Sequence, residues 1–317
     1  MSLTRRNFCK AGLAASVALG ASLTPLEAAA KKSAKTKGLK AKRVLIITFD
    51  GICIEGFEKA NIPNIKQLMK EGACSLATRD VMPSVTLPNY TSHMLGAGPE
   101  VHGVVDNGWK VDNFKIPAVV RDGEGYFPSV FQVLKEYDAS IKTAYYWNWE
   151  PLIYPINQKY LDDKQLGEWN KYDVLYDRAF QFMKDNREGR TFTFLYSVHT
   201  DHVGHVSGWM SPEYLQSIEE GDKEVGRLIN RLKEEGMYDD AHILFTSDHG
   251  GIDHGHGGVS EAEMIVPWLL RGPGIRQDFR MEEANNTVNT ASTVLRLFGA
   301  EQPLCWTGEV PESIFGK

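Results

Sequence analysis

Three short apolar runs in this chain each stop just before an aspartate. Arg43–Phe49 (RVLIITF) leads into Asp50-Gly51, residues 191–198 (TFTFLYSV) lead into Asp201, and residues 241–245 lead into Asp248-His249. Mostly apolar runs of this length, rich in β-branched and aromatic residues, suit strands buried on both faces of a parallel sheet. Open α/β sheets keep their sites at the carboxyl ends of such strands. The three aspartates are therefore expected to converge on one edge.

Helical periodicity fills the intervals. Helices are predicted over 64–72 with Gly72 as the stop, over 126–138, over 172–186, from Ser211 to about Gly236, and over 287–298. The 211–236 segment has proline at its first helical position and places Leu215, Ile218, Val225, Leu228, Ile229 and Leu232 at helical spacing. Further strands are predicted over 142–147 and 265–270, and Pro267 argues for a sheet edge in the second. Residues 75–83 read as extended and 147–160 as irregular and rich in aromatics. Strands alternating with helices give an α/β fold, a mostly parallel central sheet with helices on both faces, in one domain over 43–317.

The first 30 residues are set apart as a leader. Thr4-Arg5-Arg6-Asn7-Phe8-Cys9-Lys10 is a twin-arginine pattern, residues 11–23 are uncharged and rich in Ala, Gly and Leu, and Ala28-Ala29-Ala30 offers a cleavage site. The run is too short for a spanning helix, so no transmembrane segment is expected. Export to the periplasm or beyond follows. Residues 31–42 then read as a basic linker. The whole chain carries a formal net charge of -6, which leaves no basic field for a nucleic-acid polymer. Beyond the leader lie Cys53, Cys74 and Cys305, an odd number that permits one bridge or three thiols, with no C-x-x-C for a zinc–thiolate site.

Residues 86–107 (TLPNYTSHMLGAGPEVHGVVDN) supply a hydroxyl. Pro88 and Asn89 suit a helix start, which places the Thr86 hydroxyl near exposed N–H groups that favour an anion such as phosphate. Seven of the nine histidines fall between His199 and His256. Asp-x-x-x-His and adjacent Asp-His are ligand spacings for a metal that takes imidazole and carboxylate, zinc foremost. Two cations can activate a weak hydroxyl nucleophile and stabilise the leaving oxygen of a phosphate ester, and an amide can bond the equatorial oxygens. Thr86 is the candidate nucleophile and Asn107 the candidate amide.

As a set, the fragments Phe49-Asp50-Gly51, Thr86-Leu87-Pro88-Asn89, Pro99 through Asn107, Asp201-His202-Val203-Gly204-His205 and Ser247-Asp248-His249-Gly250 resemble the alkaline phosphatase superfamily, most closely its type I phosphodiesterase / nucleotide pyrophosphatase branch. The resemblance implies an alkaline-phosphatase-like fold and a hydrolase of small phosphate esters with two zinc ions, other divalent metals being possible. It implies Thr86 as covalent nucleophile, with Asp50, Asp248, His249 and Thr86 on one ion and Asp201, His205 and His256 on the other. Asn107 would bind a phosphoryl oxygen, and Tyr196 would line the substrate pocket. Leu87, also expected at the substrate, stands where nucleotide-cleaving members usually carry a Phe that stacks on a base. His254 rivals His256; the glycines around His256 favour the latter. A phosphomonoesterase or phosphonate hydrolase would use the same residues. A sulfatase fits less well, because Thr86 and Tyr90 replace the Cys/Ser and Arg of that branch, and a metal-binding homologue without activity is the rival from another class.

Overall fold

The structure, a computed structural model, describes residues 39–169 and 171–316. The leader over 1–30 and residues 31–38 of the basic linker lie outside the described residues. Among the described residues, no helix is long and apolar enough to cross a membrane.

Eight strands form one sheet in the order β4-β3-β5-β1-β6-β7-β2-β8. They are β1 (Arg43–Phe49), β2 (Gly72–Arg79), β3 (Lys142–Trp147), β4 (Asp163–Leu166), β5 (Thr191–Ser197), β6 (Ala241–Thr246), β7 (Ile265–Arg271) and β8 (Phe279–Arg280). β7 alone runs against its neighbours β6 and β2. β1 is central, parallel to β5 with Phe49 opposite Ser197 and parallel to β6 with Thr48 opposite Thr246. That register brings the ends of the three aspartate-bearing strands side by side.

The sheet is covered on both faces, as the doubly apolar strands require. One core joins Val44, Ile46, Phe192, Phe194, Leu244 and Trp268 to helices including Thr86–Leu95, Val130–Tyr137 and Asn289–Phe298. The other joins Leu45, Ile47, Phe49, Leu195, Ile243 and Phe245 to helices including Pro63–Lys70, Asp173–Asp185 and Pro212–Glu234. Alternate residues of one strand thus feed opposite cores, which is the period-two geometry of a strand.

Three local expectations are corrected. Pro267 is not at an edge, because β7 lies between β6 and β2. It is tolerated where the β2–β7 register shifts between Ser75 and Thr78, so no regular ladder bond is demanded of its missing N–H. Gly72 does not stop a helix; the helix is capped at Glu71 and Gly72 opens β2. β4 was not expected, because its DKQL has three polar residues and alternates half-buried with exposed positions at an open edge. Cys53, Cys74 and Cys305 are all free thiols.

Candidate active site

Asp50 follows β1 directly, and Asp248 follows β6 by two residues. Gly51, at φ +72°, turns the chain after Asp50; a side chain there would press on Asp201 at 3.0 Å. Its N–H donates to Asp248 Oδ1 at 3.2 Å. Asp201 and His205 sit four apart on helix His199–Ser207, so one helical face carries both. Thr86 is the first residue of helix Thr86–Leu95 and is 5% exposed. Its Oγ1 is 3.2 Å from His249 Nε2.

The three imidazoles are oriented from behind. His249 Nδ1 bonds the Gly250 carbonyl at 2.8 Å, His205 Nδ1 the His254 carbonyl at 2.9 Å, and His256 Nδ1 the Ser84 carbonyl at 2.8 Å. Each Nδ1 must carry the proton, so each neutral ring presents the lone pair of Nε2 to the site. The carboxylates face those same atoms. Asp248 Oδ2 and Asp50 Oδ1 lie 3.1 and 3.4 Å from His249 Nε2, and Asp201 Oδ1 lies 3.5 and 3.6 Å from Nε2 of His205 and His256. Asp50 Oδ1, Asp201 Oδ1 and Asp248 Oδ2 are buried without any hydrogen-bond partner. Ionised, these carboxylates would face imidazole lone pairs, acceptor against acceptor, an arrangement that a cation satisfies.

The electrostatics agree. Burial, reinforced by the Asp248 and Asp201 charges, holds the Asp50 carboxyl well above the usual carboxylate range. Burial pushes Asp248 up to about 8 and raises Asp201. Burial, with His256 nearby, holds His249 well below the ordinary imidazole range. Two groups have their ligand atoms within 4.8 Å of one another: Asp201, His205 and His256, and Asp50, Asp201 and His249. Asp201 belongs to both. Asp248 reaches the second group through its contact with His249.

Several expected residues take different places. Tyr196 is wholly buried and does not line the pocket; its hydroxyl donates to Asp50 Oδ2, which orients that carboxylate. Leu87 is also wholly buried in the core and offers no surface to a base. Its backbone N–H instead donates to Asn107 Oδ1 at 2.8 Å, which leaves the Asn107 Nδ2 as the free donor at the mouth. His256, not the exposed His254, groups with Asp201 and His205. A cavity of about 230 Å³ lies over the site, walled by Asp50, Thr86, Asn107, Asp201, His205 and His256, and by Trp149, Trp169 and His202. Trp169 meets His202 edge-on, with ring centres 5.6 Å apart. The wall function of Trp169 carried no motif, and Trp149 shared an aromatic-rich stretch in which Trp147 is buried in the core. Ser84 was equally silent, though it also bonds Gly258 through its hydroxyl at 2.7 Å.

Residues 44–266 match the profile of the type I phosphodiesterase / nucleotide pyrophosphatase family. The chain belongs to this family. Among curated family relatives, it is 25% identical over 233 residues to the bovine (Bos taurus) bis(5'-adenosyl)-triphosphatase ENPP4, covering 66% of this chain and 47% of the relative. It is 26% identical over 224 residues to human (Homo sapiens) ectonucleotide pyrophosphatase/phosphodiesterase family member 1, covering 67% of this chain and 24% of the relative. This family member thus spans about half of one of these relatives and a quarter of the other. The fold matches that of murine ectonucleotide pyrophosphatase/phosphodiesterase 5, solved as an inactive threonine-to-alanine form in complex with AMP. The TM-score is 0.72 at 17% identity, covering 87% of this chain and 100% of that one.

Proposed function

We propose that this protein is an exported, two-zinc hydrolase that cleaves phosphodiester or pyrophosphate bonds through a threonine-phosphoryl intermediate. The observation that carries the reading is the set of buried, unpartnered carboxylate oxygens facing the Nε2 atoms of three backbone-oriented histidines. Asp50, Asp248, His249 and Thr86 would hold one ion, and Asp201, His205 and His256 the other, with Asp201 close enough to serve both. Bound there, the ions would lower the pKa of the attacking oxygen and neutralise charge on the phosphoryl group.

The residues of the chain then divide the work. Thr86 Oγ forms a bond to phosphorus as the bond from phosphorus to the leaving oxygen breaks, and the alcohol or nucleotide departs. Asn107 Nδ2 donates to an equatorial phosphoryl oxygen, with its amide held by the Leu87 N–H. A water then forms a bond to phosphorus from the opposite side and the Thr86 Oγ bond breaks, restoring the hydroxyl. Tyr196 keeps Asp50 turned toward the site throughout. Trp149 and Trp169 wall the cavity, which supports an aromatic or nucleotide leaving group despite the burial of Leu87.

The test compares kcat/KM for a chromogenic diester and the matching monoester with purified, zinc-loaded protein. A strong diester preference is expected, and Trp169→Ala lowers kcat/KM for the aromatic diester about tenfold, mainly through KM. A monoester preference would move the protein to the phosphatase or phosphonate-hydrolase reading. Export has its own check. Replacing both Arg5 and Arg6 with Lys leaves unprocessed protein in the cytoplasm of a bacterial host, whereas normal processing of that variant would refute twin-arginine export.

A further inference from the structure

The turn that joins helix His199–Ser207 to helix Pro212–Glu234 carries Trp209, whose role in the site no motif suggests. The indole is 7% exposed. Its Nε1–H donates to the Gly51 carbonyl at 2.8 Å, one residue beyond Asp50. Its backbone N–H donates to the Asp253 carbonyl at 2.7 Å, on the loop that leads to His256. The ring meets His205 edge-on, with centres 5.2 Å apart, and lies 6.0 Å from the His256 ring.

Two glycines make room for this ring. A Cβ on Gly204, next to His205, would lie 2.8 Å from the indole, and one on Gly251, two residues after His249, would lie 2.2 Å from it. An indole that needed only burial would not require close approach from two ligand-bearing segments, nor direct its N–H to a carbonyl on a third. Trp209 also forms part of the wall of a separate cavity of about 600 Å³, shared with Cys53, Met210 and Ile252, which His205 and His256 do not line. The indole therefore backs the two imidazoles on the side away from the substrate cavity.

We propose that Trp209 is a positioning residue that holds the Asp201–His205–His256 group in register with the Asp50 loop. It acts by limiting rotation of the His205 and His256 rings and by tying Gly51 to the helix that bears Asp201. This inference rests on the two-metal reading given above. Outer partners of metal ligands typically change metal affinity 10- to 100-fold when lost.

The experiment titrates zinc into the metal-free mature protein against a chromophoric chelator and records metal-free thermal unfolding in parallel. Trp209→Phe keeps a ring but loses the N–H; Gly204→Ala keeps the indole but displaces it. Each variant is expected to weaken one of the two zinc dissociation constants by about tenfold or more while the other changes little. A residue that only fills space would lower the unfolding temperature and leave both constants at wild-type values in the folded protein; that result in Trp209→Phe overturns the proposal, whatever Gly204→Ala does. Wild-type protein that takes up fewer than two ions would overturn the two-metal reading itself, and this proposal with it.

Discussion

Thr86→Ala protein is expected to turn over a phosphate diester on the order of 10⁶-fold more slowly than wild type, by analogy with loss of other covalent nucleophiles. The substitution removes the atom that would bond to phosphorus and leaves its surroundings in place. Thr86 opens a helix but does not cap it; that position belongs to Val85, which makes no side-chain cap bond. The lost contact is the 3.2 Å approach of Oγ1 to His249. Zinc uptake should therefore persist through Asp50, Asp248 and His249, and the unfolding temperature should change little. Thr86→Ser, which restores the hydroxyl, should recover much of the activity. Turnover by Thr86→Ala within tenfold of wild type would rule out the covalent mechanism.

Removing the metal should abolish turnover and leave a protein whose stability falls as pH rises from about 6.5 to about 8. Asp248 is raised to about 8, and Asp50 and Asp201 are also raised, chiefly by burial. Asp248, raised to about 8, holds its proton in the folded chain over most of that window, where an unfolded carboxyl is ionised. The folded state then binds more protons, and stability declines with pH by about 1.4 kcal/mol per unit for each such proton. Below about 6.5 the buried neutral histidines act in the opposite sense, since unfolding lets them protonate; His249 and His93, the latter lowered to about 4, are of this kind. Bound cations replace the protons on the site carboxylates, so the stability gap between loaded and metal-free protein should widen from pH 6.5 to 8. Asp80, raised to about 9 mainly by burial, titrates in both forms and largely cancels from the gap. Unfolding temperatures of both forms across this range check the slope, and a gap that stays level or narrows would count against a metal site at these carboxylates. Asp248→Asn should reduce the slope of the metal-free protein.

Much of the site was legible because strand ends are a local property. A run of buried residues must stop where the sheet stops, and a carboxylate placed just beyond it is held at the carboxyl edge whatever the rest of the chain does. Asp50, Asp201 and Asp248 follow from that alone, and β1, β5 and β6 are indeed adjacent. Helix spacing similarly puts His205 beside Asp201. Short or polar elements were less legible. β4 has only four residues, and its burial alternates between half-buried and exposed.

Side-chain direction was not legible, because it depends on what packs against a residue from far away in sequence. Tyr196 lies on a predicted strand, yet only the approach of β1 to β5 turns its hydroxyl to Asp50 rather than to the substrate cavity. His254 and His256 are two residues apart and chemically alike; the carbonyl of Ser84, 172 residues away in the chain, holds His256 in the site. Trp169 and Trp209 have no motif, and only the folded chain sets one on the cavity wall and the other behind the imidazoles. The amino-acid order by itself determined which candidate residues lie at the ends of buried strands and which sheet edge gathers them, since hydrophobic run length and helical period act over a few residues. Tertiary structure alone decided which atoms of those residues face the site, since that direction comes from contacts between segments that the chain order keeps apart.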